Sequence, residues 1–343
     1  MSSFRLFFGV ALLTLVPLTT AAQVTTADIV GTISDSTGAL LPGVTVTARS
    51  EATGNVETAV SDASGNFQIL RLAPGRYRLT TELQGFKTVD SSVTLAIGDR
   101  YRLNLDLEVG AVEEHLTVVA QTPLLQTETA SVAVLVDERA MQDLPLNGRN
   151  FVRLAQIAPG AHEGPPNSLS SGNRPDDRRQ SSSISINGQD TSLNNFLIDG
   201  LDNNERFIGT VIVRPNVDAI QEMRVETNSF SAELGRAAGG VINVVTKSGT
   251  NQLHGSAFEF YRNEAFDARN FFAATGPKPE FKLYQFGGSL GGRLIADRSF
   301  FFVDYAGLRL RQGNTYTSTV PTLAMRRGDF AGLNTIYDPL TGA

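Results

Sequence analysis

The sequence predicts a mainly β protein in three parts: an N-terminal seven-stranded β-sandwich, a mixed α+β region, and a last set of strands whose two faces meet different solvents. Three observations carry this. First, short strand-like runs recur between turn signals through residues 24–110, the pattern of a small sandwich. Second, GGVINVVTKSG holds a nearly continuous apolar core, Val241 to Val245, between Gly239–Gly240 and Ser248–Gly249, which reads as a strand buried on both faces. A turn at Gly249–Thr250–Asn251 follows, and then HGSAFEFYRN, rich in glycine and aromatics and only loosely alternating. A buried strand, a turn and a two-solvent strand fit the place where a globular plug hands over to a membrane barrel. Two adjacent strands of one soluble sheet fit the same residues, because single barrel strands give weak signals. Third, Gly 32 and Phe 20 against Trp 0 fit a β-rich chain with many turns.

The 343 residues, 41% hydrophobic and 19% charged, allow two or three domains. A net charge of −6 gives no basic excess for a nucleic-acid partner. Cys 0 excludes a disulfide framework and thiolate metal sites, but not export. Arg5 is the only charge before Asp28, and Leu6 to Leu18 is apolar apart from Gly9, Thr14 and Pro17. With Thr20–Ala21–Ala22 before Gln23, residues 1–22 read as a secretory signal peptide cut after Ala22. The run is short for a membrane span, which needs about 20 residues; an uncleaved anchor is the alternative. No other long apolar run exists, so residence in a membrane would require a β-barrel.

The sandwich occupies residues 23–110, with strands expected at 27–33, 44–49, 56–60, 67–69, 76–82, 92–97 and 101–107. The last alternates cleanly: Leu103, Leu105 and Leu107 against Asn104, Asp106 and Glu108. Residues 111–136 form a linker and the entry to the plug. Within it, EHLTVVA is a short extended apolar run able to add to a partner's sheet edge, or an ordinary connecting strand. The plug spans residues 137–247. Residues 137–143 before Leu144–Pro145, and 150–157 before Ala158–Pro159–Gly160, read as short helices. Residues 161–183 form a polar loop, and residues 183–186 and 195–198 a strand pair around the Asn187–Gly188–Gln189 turn. Asp202, Asn203, Asn204 and Glu205 could gather oxygens for calcium, or serve turns and caps; the EF-hand spacing is absent. A short helix at 217–220 precedes the strand MRVETN. From residue 248 three strands follow: 253–262, 281–293 and 300–311, the second with Tyr284, Phe286 and Leu290 opposite Gln285, Ser289 and Arg293. A long loop (263–279) and then a tight turn at Ala296–Asp297–Arg298 match the asymmetry of outer-membrane barrels.

The segment GGVINVVTKSGTNQLHGSAFEFYRN resembles the plug–barrel junction of TonB-dependent outer-membrane receptors, in particular the Oar-like group with an N-terminal carboxypeptidase-regulatory-like domain. LPLNGRNFVRLAQIAPG, NNFLIDGLDNNE and LYQFGGSLGGRLIADRSFFFVDY fit the same group, in order. LPGVTV, SDASGNFQI, APGRYRL and QGF resemble the regulatory-like domain, which is the accessory domain and not the peptidase. The sequence keeps that split. A zinc carboxypeptidase needs His-x-x-Glu, and three residues after His115, His162 and His254 stand Val118, Pro165 and Ala257. No catalytic residue, metal site or cofactor is expected.

The resemblance implies an α+β plug followed by the first strands of an incomplete transmembrane β-barrel in a Gram-negative type outer membrane. It implies ligand binding outside the cell and energised uptake. Glu114, His115, Leu116, Thr117, Val118, Val119 and Ala120 resemble a TonB box, the segment that engages a TonB-type energy-coupling protein. Arg174, Asp176, Asp177, Arg178 and Arg179 sit in the loop expected to face ligand, where plain disorder is the alternative. The implied partners are that coupling protein, outer-membrane lipid and an unidentified extracellular ligand, saccharide or peptide. Residues 248–343 hold too few strands for a 22-strand transporter barrel, so a truncated receptor, a fragment or a broken gene is expected. The rival reading is a secreted or periplasmic carbohydrate-binding or adhesion protein. For the sandwich, a spacer or docking role is favoured over sugar binding.

Overall fold

The computed structural model describes residues 25–110, 115–118, 128–164, 183–206, 209–269, 278–313, 319–331 and 340. The signal-peptide segment, residues 1–22, lies outside them. The chain divides into two compact units. One comprises Met1–Ala257 with Gly287–Ala306, the other Phe258–Phe286 with Gly307–Ala343.

The first unit begins with β1 (Ala27–Asp35), β2 (Thr45–Ser50), β3 (Val56–Val60), β4 (Asn66–Leu72), β5 (Gly75–Glu82), β6 (Thr88–Leu95), β7 (Arg100–Arg102), β8 (Leu105–Leu107) and β9 (His115–Val118). They form two sheets. One runs β4-β1-β7, with β8 also on β1; the other runs β3-β2-β5-β6-β9. Alternation places the core. Tyr77, Leu79 and Thr81 of β5 point inward while Arg76, Arg78 and Glu82 face water. They meet Ile29, Ile33, Phe67 and Leu105 from the other sheet in one apolar cluster.

The two sheets hold nine strands where seven are expected, β4 runs on to Leu72 rather than ending at Ile69, and two further strands differ from the sequence reading. Residues 101–107 are two strands, each parallel to β1 and separated at Leu103–Asn104, where the Leu103 amide donates to Val30 O at 2.8 Å. Gly31 permits that crossing, since a Cβ there would collide with the Leu103 carbonyl and the Phe67 ring. Strand β6 starts at Thr88 rather than Ser92: Val89 and Ser91 continue the inward face of Val93 and Leu95, and the buried polar Ser91 breaks its apolar alternation.

The same unit continues with β10 (Val132–Asp137), α1 (Glu138–Asp143), β11 (Ala161–Glu163), β12 (Ile184–Ile186), β13 (Asn195–Ile198), β14 (Leu201–Asp202), β15 (Ile220–Asn228) and β16 (Val241–Thr246). Five of them make a mixed sheet, β10-β15-β16-β13-β14. Strand β16 is central and buried from Val241 to Val245, as its continuous apolar run requires. Only β13 runs parallel to it. Helix α1 is capped by Asp137, whose carboxylate accepts from Ala140 N, and it stops before Pro145. The second short helix, Phe151–Ile157, is a 3-10 helix capped by Asn150.

The expected pairing of residues 183–186 with 195–198 is wrong. Strand β12 pairs with β11, in the stretch read as loop, while β13 enters the main sheet. Asn194 separates the two: its Nδ2 donates to Ile184 O at 2.7 Å and its Oδ1 accepts from Gly240 N at 3.0 Å. One side chain thus satisfies backbone in β12 and at Gly240, just before β16.

The remaining strands are β17 (His254–Asn263), β18 (Phe281–Ile295) and β19 (Ser299–Gln312), in the order β17-β18-β19. Their bounds lie within two residues of the sequence reading. Among the described residues no helix is long and apolar enough to cross a membrane.

Candidate functional site

One end of the sandwich is bound to β15 of the mixed sheet and to the Asn251 turn. That end consists of the loops after β2, β4 and β6. Pro74 O accepts from Gln221 Nε2 at 3.3 Å, and Ala52 O accepts from Asn251 N at 2.9 Å. Asn251 in turn donates through Nδ2 to Asp297 Oδ1 at 2.8 Å, in the turn between β18 and β19. The strongest attachment is the Ala96–Asp99 turn that directly follows β6. Ile97 donates its amide to Glu222 Oε1 at 2.5 Å, and Ile97 O accepts from Arg224 at 3.0 Å. Arg224 also lies 3.5 Å from Asp99, 3.1 Å from Glu226 and 3.2 Å from Ser131 Oγ. Its side chain is only 4% exposed, so these partners replace water around the guanidinium.

Glu222, Arg224 and Glu226 alternate along β15 with buried Met223 and Val225. Burial pushes the Glu222 carboxyl up to about 7. The Ile97 amide and Arg224 oppose that shift, while Asp99 and Asp137 reinforce it. The sequence reading treated MRVETN as an ordinary strand and missed this cluster. The available signal was charge at every second position of a strand whose other face is apolar.

His115, Leu116, Thr117 and Val118 of the EHLTVVA segment form β9; Glu114, Val119 and Ala120 lie outside the described residues. Strand β9 pairs in parallel with β6, in the register Thr88↔His115, Val89↔Leu116, Asp90↔Thr117 and Ser91↔Val118. Among the described residues it is the end strand of its sheet. Further on, Glu128 returns to the sandwich, where its carboxylate accepts from Arg102 Nε at 2.5 Å; that bond holds the carboxyl below its usual value.

Arg174, Asp176, Asp177, Arg178 and Arg179 lie outside the described residues. The Asp202–Glu205 group serves turns and bridges. Asp202 Oδ1 accepts from Asn204 at 2.6 Å, its Oδ2 pairs with Arg236 at 3.0 Å, and Asn203 Oδ1 accepts from Val213 N at 2.7 Å. In the sandwich, Phe67 and Tyr77 are buried and Phe86 and Tyr101 half-buried, so among the described residues 25–110 no exposed aromatic face offers a platform for a sugar ring.

Residues 28–108 match a carboxypeptidase regulatory-like domain and residues 245–343 an outer membrane beta barrel domain. The TonB-dependent transporter Oar of Myxococcus xanthus is 29% identical over 313 residues, covering 87% of this chain. The chain spans 28% of that relative's length. Among solved structures, the siderophore receptor PirA of Acinetobacter baumannii overlaps 51% of this chain and 24% of its own, at 24% identity and a TM-score of 0.37. The outer membrane transporter YddB of Escherichia coli overlaps 47% of this chain and 25% of its own, at 16% identity and a TM-score of 0.36.

Proposed function

We propose that the chain is the N-terminal part of a TonB-dependent outer-membrane transporter of the Oar-like group, with an N-terminal carboxypeptidase-regulatory-like domain, and that it acts in energised uptake of an extracellular ligand; the similarity to the TonB-dependent transporter Oar and the two domain matches support this. In this reading residues 1–22 direct export and 23–110 form the accessory sandwich. Residues 111–136 link it to a plug at 137–247, and the barrel starts at 248. The protein works without catalytic residues or a cofactor. Its ligand is a saccharide or a peptide, bound on the outer face by loops that include Arg174, Asp176, Asp177, Arg178 and Arg179. Lipid surrounds the strands, and a TonB-type protein supplies the energy.

The observation that carries this reading is the change of environment across Gly249. Before it, β16 is buried on both faces. After it, β17 exposes Tyr261, and β18 exposes Leu290 and Leu294 at alternate positions of one face. Large apolar side chains on a strand's outer face need a lipid solvent or a partner.

The coupling segment is Glu114–Ala120. Its function depends on an extended backbone that donates hydrogen bonds. Proline removes an N–H and fixes φ. In cells making the full-length protein, Val118→Pro is expected to abolish uptake while ligand still binds at the surface, and Val118→Ala to be mild. A purely connecting strand would instead lose folded protein and binding together. Uptake that survives the proline at normal receptor levels removes the segment from the mechanism.

A further inference from the structure

We infer that the outer face of strands β2 and β5 binds phosphate headgroups of the outer membrane's periplasmic leaflet through Arg49 and Arg78, and so holds the sandwich against the membrane beside the barrel. The inference rests on the reading of the strands after Gly249 as the start of an outer-membrane barrel.

Its starting point is a pair of like charges. Arg49 of β2 and Arg78 of β5 are cross-strand partners in the antiparallel ladder. Directly opposite residues hold their Cβ atoms about 5 Å apart, and like charges placed there destabilise a sheet. Both side chains are exposed, and among the described residues neither has an ion pair or a side-chain hydrogen bond. Arg76, two residues before Arg78 on the same face, adds a third guanidinium, with Glu51 at 3.9 Å. Asp90, on the same face, is engaged by the Thr80 hydroxyl at 2.7 Å. An anion set between Arg49 and Arg78 turns their repulsion into charge-assisted hydrogen bonds. Ser92, the cross-strand partner of Arg78, stands beside the pair with a hydroxyl donor.

Position selects the source of the anion. The loop that follows Arg49 is where the sandwich meets the first turns of the barrel reading. Ala52 O accepts from Asn251 N at 2.9 Å, and Gly54 packs so closely on the Asp297 carboxylate that a Cβ there would collide with it. Asp297 lies in the tight turn between β18 and β19, which that reading places at the periplasmic rim. Arg49 stands three residues before Ala52, within about 10 Å of this contact. A headgroup layer is about 5–8 Å thick on each side of the hydrocarbon, so the guanidinium is within its reach. The turn itself sets exposed Arg298 beside Leu294 and Ile295, which are also exposed. Exposed Val56, the cross-strand partner of Arg49, repeats that pairing of cation and apolar side chain on the sandwich. Cations next to exposed apolar groups suit the boundary between phosphate and acyl chain. An anionic polymer deeper in the periplasm would instead be met by the opposite end of the sandwich, where β2 starts.

The test uses full-length protein in lipid nanodiscs of phosphatidylcholine alone or with added phosphatidylglycerol. The chain has no cysteine. Thr58→Cys therefore places a single thiol on the arginine face, opposite Thr47, and Gln68→Cys places one on β4 in the other sheet. The rate of labelling by a bulky, soluble maleimide is read. An arginine at an anionic surface contributes about fivefold in affinity, so the pair predicts that phosphatidylglycerol slows labelling of Thr58→Cys by about tenfold or more. Gln68→Cys should label alike in both lipids. Raised salt, or Arg49→Gln with Arg78→Gln, is expected to restore fast labelling of Thr58→Cys.

The double glutamine variant should melt no lower than wild type, since it relieves a like-charge pair. A lower melting point with unchanged labelling makes the arginines structural and overturns the inference. Equal labelling of Thr58→Cys in the two lipids overturns it as well. Co-sedimentation with purified cell-wall sacculi that needs both arginines, while Thr58→Cys stays open in the anionic discs, assigns the face to cell-wall carboxylates and overturns the lipid source. Failure of the protein to insert into either disc removes the barrel reading and the inference with it, a result distinct from every one above.

Discussion

At the scale of single residues, two positions show how chemistry invisible in composition is set by packing. Gly31 sits mid-strand, where glycine is ordinarily unfavourable. Glycine fits because β1 changes partner there, from β7 to β8, and the Leu103 carbonyl occupies the space of a Cβ. Gly31→Ala is expected to cost about 1–3 kcal/mol through overpacking. In a domain of this size that lowers Tm by about 4–8 °C per kcal/mol, read in a thermal melt of residues 23–120. Glu222 is the second case. Its carboxyl is raised to about 7 by burial, with Asp99 and Asp137 adding to the rise and Ile97 N–H and Arg224 opposing it. A raised carboxyl is protonated in folded and unfolded chain alike at low pH. Above about 7 it holds a buried charge that the unfolded chain would leave in water. Stability should therefore fall as pH climbs from about 4.5 to 7, by about 3 kcal/mol for this group, and Glu222→Gln should flatten the profile across that window. Denaturant melts of the whole protein in detergent at several pH values read this directly. Neither position was legible from sequence, because each depends on a neighbour far away in the chain: Leu103 for Gly31, and Ile97 for Glu222.

At the scale of elements, local pattern was enough wherever burial follows alternation or a continuous apolar run. Strands β2, β3 and β5 were placed almost to the residue, and so were β16 to β19. It was not enough where polar side chains are buried. Thr88 and Ser91 concealed the first half of β6, and Asn194, Asn195 and Asn204 concealed the true partners of β12 and β13. Strand β10 was folded into the linker although VAVLVD is a strand signal, because its apolar positions are half-exposed and it pairs only with β15. Pairing across the sequence is what the pattern lacks, and β9 is the sharpest instance: four residues whose membership of the sandwich sheet depends on the edge that β6 leaves open. The same pairing makes a measurable statement. Residues 23–110 are expected to fold alone, with cooperative melting and a β-rich circular dichroism spectrum. Extending the polypeptide to residue 120 adds a strand to an open edge and should raise Tm by about 4–8 °C, the equivalent of about 1 kcal/mol. Equal melting points for the two lengths would mean that β9 is not held by the sandwich.

At the scale of the whole molecule, the argument turns on where large apolar side chains meet solvent. In the sandwich the apolar positions turn inward and close one core. On the last three strands the opposite holds: Leu294 is 67% exposed, Val303 61% and Tyr305 64%. A water-soluble sheet would leave such a surface to aggregate, whereas in an outer-membrane protein it is the face that lipid wets. The two readings separate at one residue. Val303 lies on β19 a few residues beyond the Ala296–Asp297–Arg298 turn, inside the band that lipid would cover. Val303→Arg puts a guanidinium there. In lipid the cost is depth-dependent, about 2–4 kcal/mol near the midplane and close to zero at the interfaces. The full-length variant is therefore expected to reach the outer membrane at a lower level and to unfold at lower denaturant than wild type in detergent-free bilayers. Arginine at Leu253 supplies the reference, because that exposed position stands just before β17, at the strand's turn end, and should be tolerated. If Val303→Arg inserts and resists denaturant as well as the reference does, then that face does not meet hydrocarbon, and the strands belong to a sheet with a protein partner instead.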